Sequence, residues 1–263
     1  MRVLVIGDIH GGYKALIQCL ERSNFDYEND QLISLGDICD GWNEVYECVE
    51  ELIKIKNLIV IEGNHDSTFI EWMTRGKHPW HWLQGGHATL ESYVKHAEKY
   101  RTMYIDHVMG GYESNLATFD IPDKHRDFFY NMKPYYVDKD NNLFVHGGFN
   151  RHFQITDSIY NGKDILMWDR DLWSSALSFH AMSKRSTDVK YPFKMKDDFN
   201  HVYIGHTTTL NWDTDLPMTA VNITNLDTGG GFKGKLTIMD LNTKEYWQSD
   251  NVNVLYKDQK GRN

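Results

Sequence analysis

Five short stretches of the chain are apolar almost without interruption, and each stops at a glycine next to a polar side chain. They are RVLVIGD (2–8), QLISLGD (31–37), NLIVIEGN (57–64), NLFVHGG (142–148) and HVYIGHT (201–207). A strand wetted on one side alternates apolar and polar residues. Strands this uniformly apolar are covered on both faces, as in α/β proteins. Between the first two runs, YKALIQCLERSN spaces Ala15, Leu16, Cys19 and Leu20 at helical intervals. Between the second and third, NEVYECVEELIKIK puts Val45, Cys48, Val49 and Leu52 on one side of a helix. The pattern predicts a β-α-β-α-β opening.

Residues 67–135 change character. They are rich in Trp, His and Tyr, contain helical stretches such as TLESYVKHAEKY, and show no strand pattern. They predict a helical insertion near the strand ends. MTAVNITNLDT (218–228), KGKLTIMDL (233–241) and KEYWQSD (244–250) return to β and predict an antiparallel run. The expected organisation is one domain over 1–249, with 67–135 inserted within it, and a loosely held polar tail over 250–263.

Composition narrows the classes. A chain of 263 residues with 41% hydrophobic and 25% charged residues can bury a full core. A net charge of -9 speaks against an extended nucleic-acid surface, which needs clustered Lys and Arg. No apolar run has the length that crosses a membrane. The run VLVI after Met1 and Arg2 enters a Gly-Asp turn, so no signal peptide is expected. Cys19, Cys39 and Cys48 are odd in number and form no CxxC pair, which points to reduced thiols in a cytoplasmic protein.

Candidate chemistry collects where the apolar runs end. Asp8 and His10 lie in GDIHG, Asp37 in GDICDG, Asn64 and His65 in GNHD, His146 in VHGG, and His206 in GHT. The carboxyl ends of strands in an open α/β sheet form the crevice where ligands bind. Carboxylates, imidazoles and an amide together suit first-row dications. A lone His at a strand end is ordinarily a hydrogen-bonded structural residue; five such ends, each with a glycine at the turn, read together as a metal centre.

The ordered set GD-x-H-G, GD-x-x-D, GNH-[DE], HGG and GHT resembles the calcineurin-like metallophosphoesterases. GGHATLESY (85–93), IPDKHRDFF (121–129), MWDRDLW (167–173) and LDTGGGFKGKL (226–236) are similar to the phosphoprotein phosphatase branch. Within that branch they resemble the bacterial and phage enzymes, and also the symmetrical diadenosine tetraphosphate hydrolases. The resemblance implies a metallophosphoesterase-type β-sandwich flanked by helices (αββα). It implies two divalent metal ions, manganese foremost with iron, zinc or nickel as alternatives. Asp8, His10 and Asp37 would hold one; Asp37, Asn64, His146 and His206 would hold the other, with Asp37 shared. A hydroxide between the ions would attack the phosphorus. His65 would protonate the leaving oxygen as general acid, with Asp40 orienting it.

The sequence also departs from that branch. Gly41 stands where relatives carry an Arg that grips phosphate, and Glu62 and Gly63 precede the GNH motif where eukaryotic members place another. Arg170 in MWDRDLW matches the Arg of the family's W-x-R segment and is the candidate for binding substrate. A surface salt bridge with Asp169 or Asp171 is its other reading, and an Asx-type turn is the other reading of Asp40. The stretch HPWHW (78–82) suits either a base-stacking platform or packing of the insertion, and packing is favoured. His78, His81, His87, His96, His107 and His125 are expected to have no catalytic role. The implied function is hydrolysis of phosphomonoesters in phosphoproteins or small phosphorylated compounds. Dinucleoside polyphosphate hydrolysis and a non-catalytic metal-binding member are the alternatives.

Overall fold

The computed structural model describes residues 1–262 apart from 79–81, 83, 106–111, 161 and 186–191. In chain order the elements are β1 (Val3–Ile6), α1 (Tyr13–Arg22), β2 (Gln31–Ser34), α2 (Val45–Leu52), β3 (Asn57–Val60), α3 (Asn64–Arg75) and α4 (Gly86–His96). There follow β4 (Met103–Ile105), β5 (Tyr112–Ser114), α5 (Asp123–Tyr130), β6 (Tyr135–Val137), β7 (Asn142–Val145), α6 (Ile155–Tyr160), α7 (Asp164–Trp168) and α8 (Asp171–Arg185). The chain closes with β8 (His201–Ile204), β9 (Met218–Ala220), β10 (Ile223–Asn225), β11 (Thr237–Asp240), β12 (Tyr246–Gln248) and α9 (Val252–Leu255).

Two five-stranded sheets result, one in the order β12-β11-β1-β2-β3 and the other β6-β7-β8-β10-β9. Why the runs are apolar throughout follows from the two-residue period of a strand. Leu4, Ile6 and Leu32 share a core with Leu16, Cys19 and Val49 of α1 and α2. Val5 and Ile33 turn the other way and share a second core with Phe144, Tyr203 and Leu226 of the opposite sheet. In that sheet Leu143, Val145, Val202 and Ile204 pack outward with Leu172, Trp173 and Ala176 of α8. Helices, sheet, sheet and helices therefore lie in four layers, the expected αββα sandwich. Both opening helices bury the residues that their spacing predicts.

Three local expectations are corrected. The stretch 67–135 is not purely helical, because β4 and β5 pair antiparallel within it. Three-residue strands are too short to show alternation. The β-rich end is not one antiparallel run. β9 and β10 join the second sheet, where β10 lies parallel to β8, while β11 pairs antiparallel with β1 in the first. The polar tail is docked rather than loose. Val252 is fully buried, and Tyr256 stacks on Trp42 at 5.0 Å while its hydroxyl donates to Glu44. Asn43 and Gln259 exchange two hydrogen bonds, of 3.1 and 2.8 Å. Two apolar anchors among polar residues vanish in an average over composition.

Among the described residues no helix is long and apolar enough to cross a membrane.

Candidate active site

Every strand end singled out by its sequence reaches one buried cleft. The loop after β1 is tied to the loop after β2: the amides of Ile9 and His10 both donate to Asp37 O, at 3.1 and 2.8 Å. His10 Nδ1 donates to the carbonyls of Cys39 and Asp40, 2.9 Å from each. That fixes the proton on Nδ1 and leaves the Nε2 lone pair facing Asp37 Oδ2 at 3.6 Å and Asp8 Oδ2 at 4.0 Å. His146 is oriented alike. Its Nδ1 donates to Leu35 O at 2.7 Å, and Nε2 lies 3.3 Å from Asp37 Oδ2. Asn64, the first residue of α3, places Oδ1 3.1 Å from His146 Nε2 and 2.9 Å from His206 Nδ1.

Two groups of three thus form, Asp8 with His10 and Asp37, and Asp37 with His146 and His206. Within each group the ligand atoms lie within 4.8 Å of one another. Asp37 belongs to both. Asp8 Oδ1 and Asp37 Oδ2 are buried with no hydrogen-bond partner among the described residues. Buried carboxylate oxygens left unsatisfied are costly, and cations answer that cost. The donor set fits two divalent ions sharing Asp37. Burial alone would raise the Asp37 carboxyl; His146, His65 and His10 outweigh it and hold it well below the usual carboxylate range. Asp8 goes the other way, pushed up by burial and by Asp227 and Asp37.

Close approach explains two of the glycines. A Cβ on Gly63 would stand 2.2 Å from Asp37 Oδ1, and one on Gly205 would stand 2.1 Å from Asp8 Oδ1. Backbone strain concentrates here as well. His10, Asp37, Asp40 and His206 all adopt positive φ, between 49° and 65°, at a cost of about 1–3 kcal/mol for each non-glycine residue.

Beside the carboxylates, His65 Nδ1 donates to Asp40 Oδ2 at 2.7 Å, and His65 Nε2 is buried without a partner. Asp40 is 1% exposed, and its Oδ1 accepts from Thr89 Oγ1 at 2.6 Å and Trp82 Nε1 at 3.0 Å. The side chain is therefore a buried acceptor within a network, beyond what an Asx turn requires. Arg170 has no carboxylate within 4.0 Å among the described residues; its Nη1 donates to His206 Nε2 at 2.8 Å.

A model of the calcineurin-like phosphoesterases matches residues 1–209. The chain belongs to that family. Serine/threonine-protein phosphatase 1 of Salmonella typhimurium is 26% identical over 103 residues, covering 39% of this chain and 47% of that protein. Serine/threonine-protein phosphatase 2 of the same organism is 36% identical over 69 residues, 26% of this chain and 31% of its own length. The matches thus span less than half of these curated relatives. Among solved structures, a metallophosphoesterase from Sphaerobacter thermophilus has a TM-score of 0.52 at 18% identity, covering 95% of this chain and 89% of its own. A candidate diadenosine tetraphosphatase reaches 0.58 at 13% identity, covering 94% and 92%. At such identities the likeness is one of fold.

Several residues in the cleft have roles that the motif matches alone do not reveal. Thr89 sits inside GGHATLESY, and Trp82 ends HPWHW, where it donates to Asp40 as well as packing. Trp80 and His81 lie outside the described residues. Asp66, the last residue of GNHD, accepts from the amides of Ile38, Cys39 and Gly63 and so clamps two of the site loops together. Burial and the neighbouring Asp37 push Asp66 up to about 7. Asp227, beyond β10, leaves Oδ2 buried and unpartnered. Arg262 reaches the cleft from the tail, with no local signal in the sequence.

Proposed function

We propose that the chain is a binuclear-metal phosphoester hydrolase acting on phosphomonoesters of proteins or small compounds. The observation that carries this is Asp37: a buried carboxylate shared by two ligand groups, with an unsatisfied oxygen, next to an imidazole–carboxylate pair. Asp8, His10 and Asp37 would hold one ion, and Asp37, Asn64, His146 and His206 the other. Two dications bound there, manganese foremost, would lower the pKa of a water and offset charge on the phosphoryl oxygens. Imidazole ligands favour manganese over magnesium, which prefers a stricter oxygen shell. His65 delivers a proton from Nε2 to the leaving oxygen. Asp40, held by Thr89 and Trp82, keeps the other ring nitrogen protonated and the ring aimed. Arg170 donates to the phosphoryl oxygens from the His206 side. Three buried, unpaired thiols support a cytoplasmic setting.

Phosphate release should be screened in manganese with phosphopeptides, mononucleotides and diadenosine polyphosphates. Turnover of the monoesters is expected. Strong preference for the dinucleotides would move the assignment to polyphosphate hydrolysis, and no release from any substrate would make the chain a non-catalytic member of the fold.

A further inference from the structure

Arg262 belongs to the tail, yet its side chain ends in the cleft. Its backbone amide donates to Gly231 O at 2.9 Å, and its guanidinium carbon stands 4.9 Å from the centre of the Phe232 ring. Nη1 lies 3.1 Å from His10 Nε2, Nη2 lies 3.5 Å from Gln84 Oε1, and Nε is buried without a partner. Glycines line the path of its stem. A Cβ on Gly231 would stand 2.9 Å from Arg262 Cδ, and one on Gly41 or Gly85 would stand 3.4 Å from Cγ. The tail thus threads an arginine through a gap that side chains at those positions would narrow.

The two arginines are placed in parallel ways. Arg170 sits against His206 in one ligand group, and Arg262 against His10 in the other; Arg262 meets His10 at Nε2, the nitrogen that would face an ion, so its guanidinium must turn from it into the open cleft when the ion is bound. Among the described residues neither guanidinium has a carboxylate within 4.0 Å. Two cations with spare donors at one cleft, Arg170 exposed and Arg262 half-buried, favour an anion that accepts from both. A tetrahedral phosphate has the oxygens to do so.

We propose that Arg262 is a substrate-binding residue that grips the phosphoryl oxygens from the His10 side, as Arg170 does from the His206 side. The inference rests on the phosphoester reading above. It makes the docked tail a working part of the site.

The test uses the full chain loaded with manganese, titrated with inorganic phosphate by calorimetry, alongside p-nitrophenyl phosphate kinetics. Arg262→Ala should weaken phosphate binding by roughly 10- to 100-fold, the worth of one or two charge-assisted hydrogen bonds. It should also raise KM more than it lowers kcat. Arg262→Lys should recover part of the affinity, because charge returns without the planar fork. A chain lacking only residues 262 and 263 keeps Val252 and Tyr256 and should match Arg262→Ala in phosphate affinity and melting temperature. Unchanged phosphate affinity in Arg262→Ala, with wild type binding normally, overturns the inference alone. Tighter binding or faster turnover overturns it too and makes Arg262 a plug. If wild type neither binds phosphate nor releases it, the phosphoester reading has failed and the inference falls with it.

Discussion

His65 faces Asp40 with one ring nitrogen and the cleft with the other, so its replacement separates metal binding from proton delivery. His65→Asn should keep both ions and lower turnover by roughly 10²–10⁴-fold, with the loss shrinking for good leaving groups. Metal analysis of the variant decides the point, since loss of the ions would make His65 a ligand. Arg170→Ala should weaken transition-state binding by about 2–5 kcal/mol. The lower end is expected, because Arg262 shares the anion. Gly41→Arg should not compensate: φ there is 117°, and a Cβ would lie 3.1 Å from both His10 Cβ and His10 O. The cysteines are inert by burial, which pushes Cys19 up to about 12 and Cys39 and Cys48 well above their usual value. A thiol reagent should titrate all three only after unfolding. The candidate ligands at the strand ends were legible because each carries its own glycine turn. Thr89, Trp82 and Arg262 were not, because their roles depend on where the insertion and the tail arrive.

At the scale of elements, the long apolar runs declared themselves as strands buried on both faces, and α1 and α2 by their spacing. The β4–β5 hairpin and the docked tail escaped because three-residue strands and two isolated anchors leave no periodic trace. The turns between elements carry the strictest demands. Gly63→Ala pushes a methyl to within 2.2 Å of Asp37 Oδ1 and must displace the shared carboxylate. Its manganese affinity should fall by more than about 100-fold, an amount of about 3 kcal/mol, while far-ultraviolet circular dichroism stays near wild type. Native manganese affinity in Gly63→Ala would show that the turn can relax and that the close approach is incidental.

Across the whole molecule, the sandwich brings motifs from residue 8 to residue 206 together on one edge, and the tail closes over the same edge from residue 262. The stability of the molecule should carry its own pH signature away from the site. Burial, then Lys244, holds His201 down to about 4, with Nε2 paired to Thr224 Oγ1 at 2.8 Å. Its folded pKa lies below the unfolded value of about 6.5. The unfolded chain therefore binds the extra proton, and this stabilisation is present above pH ~6.5 and lost as pH falls toward about 4. Urea midpoints of metal-free protein should drop less over that interval in His201→Gln than in wild type. The central claim concerns the two ligand groups and their shared carboxylate. It is tested most directly by following p-nitrophenyl phosphate hydrolysis as manganese is added to metal-stripped protein. Turnover should be absent at the start and rise until about two equivalents per chain are bound. Full turnover after dialysis against excess chelator would contradict it.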